Sequence, residues 1–167
     1  AAHETDDGAV RRAGYPLDLL LQRRQDPARI LSELRTNVNG DVGDPLAQMV
    51  AAQKQGVARG TPSICSANAY VLEASVQLAV RQSSVLLVES TCNQVNQYGG
   101  YSGMTPARFV EYVGRIARRW GLARERLILG GDHLGPNPWK QEKVGSAMAR
   151  ARQLVGDSVA AGYRKIH

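Results

Sequence analysis

The sequence predicts an α/β protein built on a parallel β-sheet. Short apolar segments with the composition of buried strands alternate with longer segments that have the spacing of amphipathic helices. The chain has 167 residues, of which 43% are hydrophobic and 22% are charged, so it is long enough and apolar enough to form a packed core. Alternating strands and helices occur both in doubly wound sheets and in barrels, and the pattern leaves both arrangements open.

The regular pattern begins at Asp44, where an N-cap residue followed by Pro45 predicts a helix that ends near Gly56. Residues 63–67 then have the composition of a first strand, and Asn68 is suited to cap a second helix. The core-facing side chains of that second helix are predicted to be Val71, Ala74, Ser75, Leu78 and Ala79.

Two further strands and a third helix follow. Residues 85–88 are entirely apolar and predict a second strand, after which a polar loop leads to the next helix. That helix begins at Thr105 and Pro106 and is ended by Gly121, and residues 127–129 predict a third strand.

The end of the sequence continues the alternation. A fourth helix runs to Gly162, and residues 165–167 are interpreted as the opening of a fourth strand, inside which the sequence stops. This interpretation places His167 at the edge of the sheet remote from the predicted site. No catalytic role is therefore assigned to His167.

Charge and cysteine content narrow the class of protein. Lys and Arg number 21 against 15 acidic residues, a net charge of +6, which permits nucleic acid, anionic lipid or phosphorylated metabolites as ligands. The arginines of the third helix are interpreted as a solvated face, and no nucleic-acid-binding module is recognisable, so no nucleic-acid partner is predicted. No segment has the pattern of a membrane span or a signal peptide, and Cys65 and Cys92 lack the spacing of a zinc knot. A cytoplasmic protein without a membrane partner is expected.

Residues 1–43 differ from the rest of the sequence. They combine an acidic start, a short amphipathic piece and a cluster of turn-forming residues. We interpret them as an N-terminal extension or linker, with a docking arm as the functional alternative. The folded domain is predicted to occupy residues 44–167.

Three polar segments follow the predicted strands, at residues 65–68, 89–100 and 130–137. In parallel α/β proteins, function lies at the carboxyl ends of the strands. Side-chain amides are both donors and acceptors and suit the hydroxyls of a sugar, although the same amides can instead tie a loop to itself. The residues assigned to substrate binding are Ser66, Asn68, Asn93, Gln94, Asn96, Gln97 and Asn137.

Candidate catalytic groups stand at two adjacent strand ends. Asp132 and His133 follow the third strand, and Glu89 follows the second. Two carboxylates in one cleft can serve as an acid and a base, so Glu89 and Asp132 are the catalytic candidates and His133 the candidate metal ligand. The alternatives are a salt bridge for Glu89 to one of the arginines and a hydrogen-bonded loop histidine for His133.

Glycines precede the third helix and suggest an anion site. Gly99 and Gly100 could present backbone amides to a phosphate group near the helix N-terminus. The sequence contains neither a phosphate-binding P-loop nor a dinucleotide-binding glycine motif. No nucleotide cofactor is therefore predicted.

Three segments together form a recognisable family pattern, namely residues 65–68 (CSAN), 87–106 (LVESTCNQVNQYGGYSGMTP) and 124–137 (RERLILGGDHLGPN). They resemble the non-catalytic subunit family of class II D-tagatose-1,6-bisphosphate aldolase, which includes ketohexose and ketohexose-phosphate 4-epimerases. The resemblance covers residues 44–167 in order, and residues 1–43 fall outside it.

The resemblance implies a (β/α)8 TIM barrel, of which residues 44–167 would be the N-terminal part, with three βα units and the start of strand four. It implies a subunit that supports the stability and activity of a separate zinc-dependent catalytic subunit acting on a sugar phosphate in galactitol or N-acetylgalactosamine breakdown.

The same family leaves a second activity open, an autonomous metal-dependent 4-epimerase that acts by retro-aldol and aldol steps. Asp132 and His133 are similar to the Asp-His pair of catalytic class II aldolases, and Asn68 replaces a His associated with the accessory type. A catalytic zinc or similar divalent metal wants about three protein ligands. The ligands besides His133 are expected outside this chain.

Overall fold

The computed structural model describes residues 44–167. The extension or linker interpreted at residues 1–43 lies outside the described residues.

The described residues form an α/β fold with one parallel sheet of four strands, which confirms the predicted class. The strands lie side by side in the order in which they occur in the sequence, and every neighbouring pair is parallel. They are β1 (Ser63–Cys65), β2 (Leu86–Thr91), β3 (Leu127–Asp132) and β4 (Lys165–Ile166).

One helix precedes the sheet and one follows each of the first three strands. These helices are α1 (Pro45–Lys54), α2 (Ala69–Arg81), α3 (Pro106–Arg119) and α4 (Val144–Ala161).

The helix ends lie where local sequence signals predict them. The Asp44 side chain accepts a hydrogen bond from a first-turn amide of α1, and Asn68 and Thr105 do the same for α2 and α3. Gly162 ends α4 in a left-handed conformation, with φ of 103°. These caps need no tertiary contact, which is why sequence patterns identify them.

The inward face of α2 differs from the prediction. Val71 and Leu78 are 44% and 47% exposed, whereas Leu72 and Val76, which the spacing does not select, are buried in the main core. Ala79 is buried, as predicted. Residues 72, 76 and 79 also form a helical stripe, so α2 has two apolar stripes side by side. Packing against β2 and α3 selects between them, and the sequence of α2 alone does not.

A polar row crosses the face of the sheet opposite the main core, next to the buried Leu87 and Ile128 of the same face. Leu86, Val88 and Leu129 pack with α2 and α3 in the main core. Side chains alternate along a strand, so Glu89 lies on the opposite face from Val88. The register places Cys65 beside Glu89 and pairs Gly130 with both Glu89 and Lys165, which forms a polar row across that opposite face.

A separate finding concerns the helices. Within residues 44–167, no helix combines the length and the apolar character needed to cross a membrane.

Tyr163 gives a testable prediction about the core. Its ring is buried beside Phe109, and its hydroxyl lies 2.8 Å from Ser90 Oγ. Burial raises the pKa of Tyr163 to about 12, and the Ser90 hydrogen bond opposes this only in part. Because the pKa of Tyr163 is higher in the folded state than in the unfolded state, its protonated hydroxyl contributes to the free energy of unfolding. This contribution is complete below about pH 10, where free tyrosine titrates, and is lost as the pH rises towards 12.

We expect a late tyrosine step in the 295 nm absorbance titration of the full-length protein, and its absence in Tyr163→Phe. The exposed Tyr70 gives the matched control, because Tyr70→Phe should leave the late step in place. A late step that survives in Tyr163→Phe would contradict the assignment.

Candidate functional site

An Asp-His-His group lies at the carboxyl edge of the sheet. Asp132 is the last residue of β3, His133 follows it, and His167 follows β4. Asp132 Oδ2 is 3.0 Å from His133 Nδ1, and Asp132 Oδ1 is 2.9 Å from His167 Nδ1. The three ligand atoms lie within 4.8 Å of one another. Carboxylate oxygen and imidazole nitrogen are suitable ligands for a divalent transition metal.

The electrostatics of this group favour an anionic carboxylate. The hydrogen bond from His167 and then the one from His133 hold the pKa of Asp132 below its usual range. Both imidazoles are largely exposed to solvent, whereas Asp132 is partly covered. The group therefore presents an ionised carboxylate and two accessible imidazoles at the edge of the sheet.

His167 corrects the sequence analysis, which places it at the remote edge of the sheet. Gly130 pairs with Lys165 and Gly131 with Ile166, so the next residue, His167, reaches the level of Asp132. The backbone N–H of His167 donates to Gly131 O at 2.9 Å.

The error arises because β3 is longer than predicted and β4 pairs with its upper half. A usable signal exists in the sequence: Lys165 and His167 are polar residues at alternate positions of a strand, as expected for one polar sheet face.

A buried ion pair lies beside the Asp-His-His group. Glu89 is 4% exposed, and its Oε1 lies 2.5 Å from Lys165 Nζ. The Ser63 hydroxyl donates to the other carboxylate oxygen of Glu89. Lys165 Nζ is also 4.0 Å from Asp132 Oδ1, so the ammonium lies between the two predicted catalytic carboxylates. The structure thus brings Glu89 and Asp132 together through a residue that sequence analysis does not select.

Gly130 provides the space for this ion pair. A Cβ atom built at Gly130 would lie 3.0 Å from Glu89 Oε1 and 3.2 Å from the carbonyl oxygen of Lys165. A side chain at position 130 would therefore clash with the Glu89 carboxylate and with the backbone of Lys165. Gly130 is needed at this position because only a residue without a Cβ atom leaves room for the ion pair.

The amide-rich loop after β2 is partly tied to itself. Asn96 Oδ1 accepts from the amides of Tyr98 and Gly100, and Asn96 Nδ2 donates to Cys92 O at 2.9 Å. The amide of Gly99 donates to Asn96 O at 2.8 Å. These contacts favour the loop-forming alternative for Asn96, and they occupy both amides assigned to phosphate binding, which stays a prediction.

Two more predicted residues connect this loop to its neighbours. Gln97 Nε2 donates to the backbone oxygen of Arg150 on α4 at 3.0 Å. Asn137 Nδ2 donates to Asn93 Oδ1 at 3.3 Å, and both side chains are exposed. The loops after β2 and β3 are therefore in direct contact at the carboxyl edge. Substrate binding by these three side chains stays a prediction.

Gly100 gives a prediction about the loop. Its φ of +54° lies in the left-handed region, and an added Cβ would meet the backbone oxygen of Gln94 at 2.4 Å. Gly103 has a φ of +75° but open space around the Cβ position. Gly100→Ala should therefore cost about 3 kcal/mol or more, because a backbone clash adds to the conformational cost, whereas Gly103→Ala should cost only about 1 kcal/mol.

Urea unfolding of the full-length protein measures this difference directly. Equal losses in the two variants would mean that the loop moves freely enough to relieve the clash.

A cleft opens next to β1, between the loop after β1 and the loop after β2. Its volume is about 560 Å³, within the range of small-molecule sites. Three of the predicted substrate-binding residues line it together, namely Ser66, Asn68 and Gln94. The described residues that line it are Ser66, Ala67, Asn68, Gln94, Tyr101, Ser102, Met104 and Tyr112.

Fold and site together define a class: a parallel α/β protein with a potential metal-binding group and an ion-paired carboxylate at the carboxyl edge of its sheet. The model of one family, described as "D-tagatose-1,6-bisphosphate aldolase subunit GatZ/KbaZ-like", matches residues 46–167. The chain belongs to this family, which confirms the resemblance found in the sequence.

Individual relatives carry two kinds of name. The chain is 49% identical over 122 residues to a D-tagatose 6-phosphate 4-epimerase of Agrobacterium fabrum, a match that covers 73% of this chain and 29% of the relative. It is 50% identical over 119 residues to the D-tagatose-1,6-bisphosphate aldolase subunit GatZ of Escherichia coli K12, which covers 71% of this chain and 28% of that subunit. The chain thus spans less than a third of the length of these relatives.

A solved structure is also similar. The crystal structure of a probable tagatose 6-phosphate kinase from Sinorhizobium meliloti 1021 has 52% sequence identity and a TM-score of 0.63. The match covers 65% of this chain and 28% of that one.

Proposed function

We propose that the chain is part of a subunit of class II tagatose-1,6-bisphosphate aldolase that supports the stability and activity of a separate catalytic subunit. The observation that carries this proposal is the family match over residues 46–167, together with about half of the residues being identical to a named aldolase subunit. The catalytic subunit would be the partner, a sugar phosphate the substrate, and galactitol or N-acetylgalactosamine breakdown the context. The free thiols of Cys65 and Cys92 are in keeping with the reducing cytoplasm.

We propose further that residues 44–167 are the N-terminal part of a TIM barrel and that residues 1–43 are an extension or linker. Two features of the sheet support the barrel. The strands follow their sequence order without the reversal typical of doubly wound sheets. The buried side chains of α2 and α3 pack against one face of the sheet. The opposite face, which would be the inside of a barrel, carries the polar row that contains Glu89 and Lys165.

A second candidate function is an autonomous metal-dependent 4-epimerase for a ketohexose or its phosphate. The specific observation in its favour is that Asp132, His133 and His167 offer three candidate metal ligands from this chain alone. The sequence motif identifies only His133 as a metal ligand from this chain. The three candidate ligands that lie together here favour metal binding by this chain more strongly than the motif does. The donor set fits zinc or a similar divalent ion.

The chain's own residues would divide the work in this way. His133 and His167 would hold the metal, and a bound divalent ion would act as a Lewis acid towards ketose oxygens. Asp132 contacts both imidazoles through Nδ1, which orients the rings as carboxylates commonly do around metal-binding histidines. Glu89 and Asp132 are the groups that would move protons, and the Lys165 ammonium, 2.5 Å from Glu89 Oε1 and 4.0 Å from Asp132 Oδ1, would balance part of their charge.

One experiment separates the two functions. The full-length protein is incubated with divalent metal and tagatose 6-phosphate, tagatose 1,6-bisphosphate or fructose 6-phosphate, and the products are followed by carbon NMR with and without the catalytic aldolase subunit. A C4 epimer formed by the protein alone supports the epimerase. Higher partner activity on titration, without epimer, supports the accessory subunit. No change in either assay contradicts both.

A further inference from the structure

We propose that the cleft beside β1 binds an uncharged, hydroxyl-bearing part of the ketose, and that the phosphate of a phosphorylated substrate binds elsewhere. This inference rests on the second candidate function, the 4-epimerase, for its premise that this chain itself binds a ketose or its phosphate. It concerns which part of that substrate the cleft accepts.

The first argument is the charge of the cleft. Among the described residues that line it, none carries a formal charge at neutral pH. Phosphate groups in proteins are bound mainly by Arg, Lys, metal ions or clusters of free backbone amides. The amides of Tyr70 and Val71 at the start of α2 already donate to Asn68 Oδ1. The lining of the cleft therefore lacks cations, and two amides at the start of α2 are already used, which disfavours a phosphate there.

The second argument is the supply of neutral donors. Asn68 and Gln94 each use the side-chain oxygen within the protein: Asn68 Oδ1 caps α2, and Gln94 Oε1 accepts from the Thr91 amide at 2.8 Å. Within residues 44–167, neither Asn68 Nδ2 nor Gln94 Nε2 has a hydrogen-bond partner. Gln94 is 8% exposed, so most of its side chain is held rigidly while it lines the cleft. Two NH2 groups are thus available for sugar hydroxyls.

The third argument is the aromatic lining. Tyr101 is 74% exposed and lines the cleft together with Tyr112 of α3. A tyrosine offers an apolar ring surface and a polar hydroxyl, which suits the C–H faces and hydroxyl groups of a sugar. An exposed aromatic ring beside amide donors is poorly explained by core packing.

The cleft is also connected to the polar row. The Cys65 thiol donates to Gln94 Oε1 at 3.7 Å, and Cys65 pairs with Glu89 across β1 and β2. Burial, followed by the charges of Asp132 and Glu89, raises the pKa of the Cys65 thiol. The Cys65 thiol therefore connects a residue of the cleft with the polar row that contains Glu89.

The test compares two ligands in three variants of the full-length protein. Asn68→Ser keeps a capping oxygen for α2 but removes the NH2 donor. Gln94→Glu keeps the acceptor for the Thr91 amide and adds a negative charge inside the cleft. Gln153→Glu adds the same charge on the exposed surface of α4 and is the matched control. Affinities for D-tagatose and D-tagatose 6-phosphate are measured by calorimetry, with inorganic phosphate as a competitor.

We expect Asn68→Ser to weaken both sugars by the same factor, about three- to tenfold for one lost neutral hydrogen bond. Gln94→Glu should change both affinities by one common factor, because its carboxylate can still accept a hydrogen bond from a sugar hydroxyl, and Gln153→Glu should change neither. Inorganic phosphate should not compete with unphosphorylated tagatose. A loss in Gln94→Glu that is at least tenfold larger for the phosphate ester, with competition by phosphate, would place the phosphate in the cleft and overturn the proposal.

The failure of this proposal is distinguishable from that of the proposed function. Unchanged affinities in Asn68→Ser, in a protein that still binds the sugars, would overturn the cleft assignment alone. A wild-type protein that binds neither sugar would overturn the cleft assignment together with the 4-epimerase, and the accessory function would still be tested by the partner titration.

Discussion

Lys165→Met is expected to destabilise the protein by about 3 kcal/mol or more, because it leaves a buried carboxylate without its counter-charge. The Glu89 side chain is 5% exposed and has the Lys165 ammonium 2.5 Å from its Oε1. After the substitution, the Ser63 hydroxyl is, among the described residues, the remaining side chain that donates to the Glu89 carboxylate. Urea unfolding of the full-length protein, monitored by tryptophan fluorescence, gives the change in free energy of unfolding.

Two controls separate the ion pair from simple loss of packing. The double variant Glu89→Gln with Lys165→Met removes both charges and should recover most of the lost stability, because no uncompensated charge stays buried. Lys165→Arg keeps a cation and should be milder than Lys165→Met. If the double variant is as unstable as Lys165→Met, the lysine acts through packing and the electrostatic interpretation is wrong.

His167→Ala is expected to weaken the binding of a divalent metal by at least about 100-fold, because it removes one of three candidate ligands. The probe is Co²⁺ followed by its visible absorption, with Zn²⁺ as a competitor in calorimetry. The lowered pKa of Asp132 keeps its carboxylate ionised to a lower pH than that of an ordinary aspartate, and Asp132→Asn, which has no carboxylate, should also weaken binding across the neutral range.

The control for this prediction is Gln153, an exposed residue of α4 that does not belong to the candidate ligand group. Gln153→Ala on α4 should bind Co²⁺ as the wild type does. Wild-type affinity in His167→Ala would mean that Asp132, His133 and His167 are a hydrogen-bonded cluster and not a metal site.

The sequence identifies some residues of this site as functional candidates and misses others. Asp132 and His133 are adjacent in the sequence and follow a recognisable strand, so their functional role is a natural hypothesis. Lys165 and His167 lie more than thirty positions later, on the last described strand. Their contacts with Glu89 and Asp132 depend on how β4 aligns with β3. A shift of that register by one residue would turn both side chains to the other face.

The amide-rich loop illustrates a second limit. Its composition predicts hydroxyl binding and loop formation equally well, because an amide donates and accepts in either role. The structure separates the members of the group: Asn96 has both ends of its amide used within the loop, whereas Gln94 keeps its nitrogen for the cleft. Composition alone contains no information about which amide atoms are already paired.

By itself, the sequence determined the α/β class, the helix starts at Asp44, Asn68 and Thr105, and the family. These depend on local hydrogen bonds and on short motifs, which neighbouring residues specify directly. Only the tertiary structure decided the buried stripe of α2 and the convergence of Lys165 and His167 on Glu89 and Asp132. Those features arise from sheet register and from packing between elements that are distant in the sequence. Contacts between these elements stabilise them, so no single segment of the sequence specifies them.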